Sequence, residues 1–188
     1  TRYFSSAASD VYKRQALGHP VYLVDWGVPG PEDADQTVSY TLTTLLHRAI
    51  DRACRHAGAP RAFLLGYCQG GTLAAMYTAL RPARVKGLAV FNAPVKFAEA
   101  GRFARFVGPE VFDVEAIDPE RLMSIDVMRA AFKLLDPMGN FTKFVALDRI
   151  AENPIALART MARERWLEEN VPMPGTFARE FIRSTYQE

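Results

Sequence analysis

The chain has 188 residues, 49% hydrophobic and 23% charged, which is enough for one globular domain with a real core. Its net charge of +2 comes from interspersed acidic and basic residues, so nothing marks a nucleic-acid surface. Two cysteines make no disulfide framework, and no apolar run has the length of a membrane span or the form of a secretory leader.

Residues 1–16 are polar and rich in small residues, with no strong period and no helix cap leading onward. They read as a disordered tail, of the kind left when a reading frame is truncated or foreign residues are added. His19–Gly27 is apolar almost throughout and reads as a parallel strand covered on both faces. A loop through Pro29-Gly30-Pro31 follows. A helix is then predicted over about Tyr40–Ala57, closed by Gly58. Leu42, Leu45, Leu46, Ala49, Ile50, Ala53, Cys54 and Ala57 form its buried stripe. Cys54 therefore reads as core, whereas His47 and His56 fall off the stripe and read as solvated.

The next segment carries the chemistry. Ala62–Leu65 is an apolar strand, and Gly70–Leu80 is an Ala-, Leu- and Met-rich helix that Arg81-Pro82 ends. Between them lies Gly66-Tyr67-Cys68-Gln69-Gly70-Gly71, a Gly-x-Cys-x-Gly turn in strand–turn–helix context. That is the nucleophile-elbow pattern with Cys in the nucleophile's place. Gly66 and Gly70 are expected where any Cβ would collide with the neighbouring strand or helix. The turn lifts the Cys68 sulfur clear of the sheet and leaves the Gln69 backbone N–H beside it as an oxyanion donor. The helix N-terminus behind Cys68 favours negative charge, and hence the thiolate, the reactive form. The alternative is an inert Cys in a Gly-rich turn.

Val85–Phe91 is the third predicted strand, ending in Asn92-Ala93-Pro94-Val95. Strand, helix, strand, helix, strand with right-handed crossovers gives an α/β fold: a partial parallel sheet with helices on both faces. Ligands in such sheets bind at the carboxyl ends of the strands, where Cys68 sits. After Val95 no convincing strand is predicted. Helices are expected at about Asp118–Leu135, Pro154–Glu169 and Thr176–Tyr186, with Asn153 capping Pro154. Ten of the twelve phenylalanines lie from Phe91 onward. The division is a tail at 1–16, a partial core at 17–95 and a helical cap over the site at 96–188. Ordinary helical packing on the sheet is the alternative to a cap.

The elbow Gly66–Thr72, the run Val21–Gly27, Tyr77-Thr78-Ala79-Leu80, Ala93–Phe97, Arg163-Glu164-Arg165-Trp166 and Phe177–Phe181 together resemble polyhydroxyalkanoate synthases, most closely the short two-component type. The resemblance covers about Leu17–Gln187. It implies an α/β-hydrolase core with a helical cap and a Cys-His-Asp triad that polymerises 3-hydroxyacyl-CoA into polyester. Cys68 would carry the acyl group as a thioester, with Gln69 N–H in the oxyanion hole and Gly66, Gly70 and Gly71 shaping the elbow. It also implies no metal and no cofactor beyond the acyl-CoA substrate. The partners it implies are the growing polyester, a second synthase subunit and further copies of the chain, with no nucleic acid and no membrane span. The place it implies is the cytoplasm, at the polyester granule surface, where a reducing milieu suits a thiol nucleophile.

One departure matters. No histidine follows Cys68; His19, His47 and His56 all precede it. In this fold the order is nucleophile, acid, then His. His19 would open a strand at the end away from Cys68, about 23 Å off for seven residues at about 3.3 Å each. Asp113, Asp118, Asp126 and Asp136 fall in the expected cap and take no triad role. The chain therefore reads as an internal fragment of a longer enzyme, inactive alone. Another Cys hydrolase of the dienelactone-hydrolase kind, or a non-catalytic protein keeping the fold, are the competing readings.

Overall fold

The computed structural model describes residues 15–135 and 139–188. The tail reading falls almost wholly outside them, as does Asp136. The chain divides into two compact units, Val24–Met123 with Met173–Glu188, and Thr1–Leu23 with Ser124–Pro172.

The first unit holds the elbow. Its sheet is a parallel pair, β1 (Ala62–Tyr67) and β2 (Val85–Phe91), with Leu64 opposite Leu88 and Tyr67 opposite Phe91. The segment before them is one continuous helix, α1, made of Val38–Tyr40, a π-helical stretch Thr41–Leu46, and His47–His56. Thr37 caps it by accepting from the Tyr40 N–H at 2.9 Å, and the Glu180 carboxylate accepts the Val38 N–H at 2.9 Å. Gly58, in the left-handed region at φ +62°, turns the chain off its end. Helix α2 (Gln69–Leu80) leaves the elbow and stops where Arg81 departs from helical backbone ahead of Pro82. Leu42, Leu46, Ile50 and Cys54 from α1 meet Leu73 and Tyr77 from α2 in one core, with Val85, Phe177 and Phe181. The predicted stripe is thus the buried face up to Cys54, whereas its last member, Ala57, lies past the helix end and is exposed.

The rest of this unit is helical and short-turned. Helix α3 spans Gly101–Val107. Leu122–Met123 (β3) and Met173–Pro174 (β4) form a brief antiparallel ladder, which the strand-free reading after Val95 did not foresee. Gly175 fits there because a Cβ would run into the Asp118 and Arg121 carbonyls. Helix α7 (Gly175–Ile182) then runs into a closing π-helical turn, Arg183–Gln187. In the second unit lie α4 (Ile125–Leu135), α5 (Gly139–Ile150) and α6 (Pro154–Glu168), the last capped by Asn153, whose side chain accepts the Ala156 N–H at 3.0 Å. Helices α5 and α6 pack on each other.

One predicted strand is missing. His19–Gly27 is irregular, with Tyr22, Leu23 and Trp26 exposed. Among the described residues the only ladders are β1–β2 and β3–β4. An apolar run becomes a strand only where another strand offers its unpaired N–H and C=O groups, and this one meets none. Local bonds take over: the Asp25 carboxylate accepts the Gly27 N–H at 2.9 Å, with Gly27 at φ +70°.

Candidate active site

Strand β1 ends at Tyr67 and helix α2 begins at Gln69, so a single residue, Cys68, makes the whole turn. Its backbone sits at φ 53°, ψ −132°, a conformation costly for any residue with a Cβ and kept only where the surroundings enforce it. The surroundings are visible. The Cys68 N–H donates to the Phe91 carbonyl at 3.0 Å, and its own carbonyl accepts Gly71 N–H at 2.8 Å and Thr72 N–H at 3.3 Å. The buried Thr72 hydroxyl donates to the Pro94 carbonyl at 2.9 Å. Asn92, next to Phe91, is the other non-glycine residue in the left-handed region among the described residues, at φ 48°. Asn tolerates that region better than most residues. The ends of β1 and β2 are therefore both strained and tied to each other.

The glycines divide the work differently from the expectation. A Cβ on Gly66 would meet Gly71 Cα at 2.5 Å and the Gly70 carbonyl oxygen at 2.6 Å, as expected for a strand passing under a helix start. A Cβ on Gly70 would meet nothing within 4 Å. The crowded partner is Gly71, where a Cβ would lie 2.5 Å from the Ala93 Cβ and 2.7 Å from Val90 Cγ1. Residue spacing alone does not tell which of two adjacent glycines faces β2.

Cys68 is exposed and Cys54 is buried in the core, as the stripe on α1 implies. Gln69 and Gly70 open α2, so their N–H groups have no intrahelical acceptor. Tyr186, in the closing π-turn, is a polar group that the sequence did not single out. Burial raises the pKa of its phenol, and negative charge on Cys68 raises it further. Nothing in a lone Tyr near residue 186 signals this; it follows from how α7 folds back.

The remaining candidates fall elsewhere. His47 is half-buried, not solvated: its Nδ1 lies 2.9 Å from the hydroxyl of the fully buried Tyr77. Tyr77 lies nine residues beyond Cys68 along α2, about 14 Å at 1.5 Å per residue. His56 is exposed, and His19 lies in the other unit. Asp113 and Asp118 bind the N–H groups of Glu115 and Glu120, and Asp126 pairs with Arg129. No group of three or more metal-ligating side chains occurs among the described residues, and no helix among them is long and apolar enough to cross a membrane.

A family model of the alpha/beta hydrolase fold matches residues 3–147. The chain belongs to that family. Curated relatives of this hydrolase-fold chain carry one name, poly(3-hydroxyalkanoate) polymerase subunit PhaC. The protein from Haloferax mediterranei is 31% identical over 174 residues, covering 91% of this chain and 35% of its own length. That from Synechocystis is 30% identical over 92% of this chain and 47% of its own length, and that from Allochromatium vinosum is 28% identical over 92% and 49%. The hydrolase-fold chain thus spans a third to a half of the length of these relatives.

Proposed function

We propose that this chain carries the nucleophile of a polyhydroxyalkanoate synthase, with Cys68 as the residue that holds the growing acyl group. The observation that carries the reading is the strained, exposed Cys68 at the strand-to-helix turn, in a family whose curated relatives are named as polymerase subunits. The Cys68 thiolate attacks the carbonyl of a 3-hydroxyacyl-CoA. A tetrahedral oxyanion forms, the Gln69 N–H donates to it, and collapse expels the CoA thiolate. The acyl group now sits on Cys68 as a thioester. The 3-hydroxyl of another monomer or chain end, losing its proton to a base, attacks that carbonyl; an ester forms and the sulfur leaves. Exchange of one thioester for another is near balance, which suits a thiol nucleophile better than a hydroxyl. The group arrives already activated, so the reaction calls for no further cofactor. The base lies outside residues 1–188, since no histidine follows Cys68 in them. The polymer places the enzyme at a granule surface in the cytoplasm, with a second subunit and further copies of the chain as partners.

The test is an adduct. The full-length protein is incubated with 3-hydroxybutyryl-CoA, quenched in acid and digested, and its peptides are weighed. The expected mass increase is on the Cys68 peptide and is absent in Cys68→Ala. An adduct on Cys54 with Cys68 unmodified would overturn the reading.

A further inference from the structure

The segments 68–72 and 91–94 meet along their length. The Cys68 N–H donates to the Phe91 carbonyl at 3.0 Å, Gly71 has no room for a methyl beside Ala93, and the Thr72 hydroxyl donates to the Pro94 carbonyl at 2.9 Å. Thr72 is 3% exposed, so water does not readily replace that acceptor. Nor is this the bond a helical Thr makes by default. Thr41, Thr43 and Thr78 turn their hydroxyls back to the carbonyl four residues earlier in the chain. For Thr72 that carbonyl belongs to Cys68, where it accepts the Gly71 and Thr72 N–H groups instead.

The difference bears on Cys68, whose φ 53°, ψ −132° backbone persists only where the surroundings over-determine it. The bond to Phe91 holds the strand side of the residue. On the helix side, the bonds from the Gly71 and Thr72 N–H groups belong to the first turn of α2 and would survive a shift of that helix as a body. The Thr72 hydroxyl ties the helix start to the β2 exit, and so resists such a shift. The Cys68 ψ angle also decides where the Gln69 N–H points. Rotation about Cα–C turns the planar peptide between the two residues and leaves the Cys68 Cβ in place.

We propose that Thr72 is a positioning residue, whose hydroxyl holds the Cys68 ψ angle and so aims the Gln69 N–H at the oxyanion formed on the acyl carbonyl. The inference rests on Cys68 being the acyl carrier. It predicts a split between two reactions of one sulfur. Attack on a thioester builds an oxyanion and needs the aimed donor. Alkylation by iodoacetamide builds none and needs only an accessible thiolate.

The test measures both rates at Cys68 in the full-length protein, by peptide mass analysis, in the wild type, Thr72→Val and Thr72→Ser. Alkylation is run at about pH 9.5, where the thiol is largely ionised in every variant. Thr72→Val keeps the shape and loses the hydroxyl. It should slow acylation by 3-hydroxybutyryl-CoA at least about tenfold and leave alkylation within about twofold. Thr72→Ser keeps the hydroxyl and should acylate within about threefold of the wild type. Cys54 is buried, so alkylation of its peptide in the same samples reports unfolding. If Thr72→Val unfolds, Thr72→Ala takes its place with the same expectation. Rates that fall together, an unchanged acylation rate, or a Thr72→Ser as slow as Thr72→Val would each overturn the role of Thr72. A wild type whose Cys68 is alkylated but never acylated overturns the acyl-carrier reading, and this inference with it.

Discussion

The two faces of the β1–β2 pair are built to different standards. On one face α2 lies so close that Gly66 and Gly71 have no room for a methyl group, and Val90 touches Gly71. On the other, Phe63, Leu65 and Tyr67 are exposed, Phe63 to 71%. Gly66 and the three exposed residues alternate along the same strand, so the contrast is one of partners rather than of composition. The close face is what bends the chain at Cys68, because the strain there is affordable only under tight contact. The open face does nothing for the elbow. It is an apolar surface on a two-stranded sheet whose outer edges meet no further strand among the described residues.

The largest effect should come from filling the close face. Gly66→Ala places a methyl against backbone, which cannot rotate away, and should cost about 3 kcal/mol or more. Gly70→Ala places it in open space on a helix, at no positive φ, and should be neutral or stabilising by up to about 1 kcal/mol. Urea unfolding of the two variants decides the matter. Equal losses would mean that both glycines are needed for conformation rather than space, and the contrast between the faces would lose its basis.

That pair of substitutions also marks what the sequence could reveal. The elbow was legible because its demands are local: a strand, a glycine, the nucleophile and a helix within a dozen residues. Which glycine is crowded was not, since it depends on Val90 and Ala93, some twenty residues on. The helix over Tyr40–Ala57 was legible from its own period. The failure of the strand predicted at His19–Gly27 was not, because an apolar pattern states a preference and only a distant partner can fulfil it. His47 was misplaced for a related reason: an off-stripe residue can still be drawn in by one hydrogen bond with Tyr77. Tyr186 had no local signal at all.

A smaller effect is expected on the open face. Phe63 is largely exposed, and Lys86 Nζ stands 5.2 Å from its ring centroid. Phe63→Glu should therefore cost little stability, within about 1 kcal/mol, and places a carboxylate beside that ammonium. Unprotected apolar faces and edges drive self-association. Light scattering of the 188-residue chain should show aggregation at micromolar concentration that Phe63→Glu, or Leu65→Lys, reduces. If neither charge changes the scattering, association runs through another surface, and the open face is inert.

The smallest effect tests the close side at depth. Tyr77 is fully buried, and that burial raises its phenol pKa against the opposing pull of Arg84 and Arg81. The folded state thus holds the phenolic proton more tightly than the unfolded chain, whose pKa is about 10. This contribution is complete below pH 10 and is lost as pH rises from 10 toward the folded value. Tyr77→Phe removes the titration together with the hydrogen bond to His47, a loss of about 1 kcal/mol at pH 8. Tyr186 also titrates high, but it does so in both proteins and cancels from their difference. The gap between wild type and Tyr77→Phe, followed by urea unfolding from pH 8 to 11, should therefore narrow above pH 10. A gap that stays constant would mean that the Tyr77 phenol titrates alike in the folded and unfolded chains, and that the close side is wetter than its packing implies.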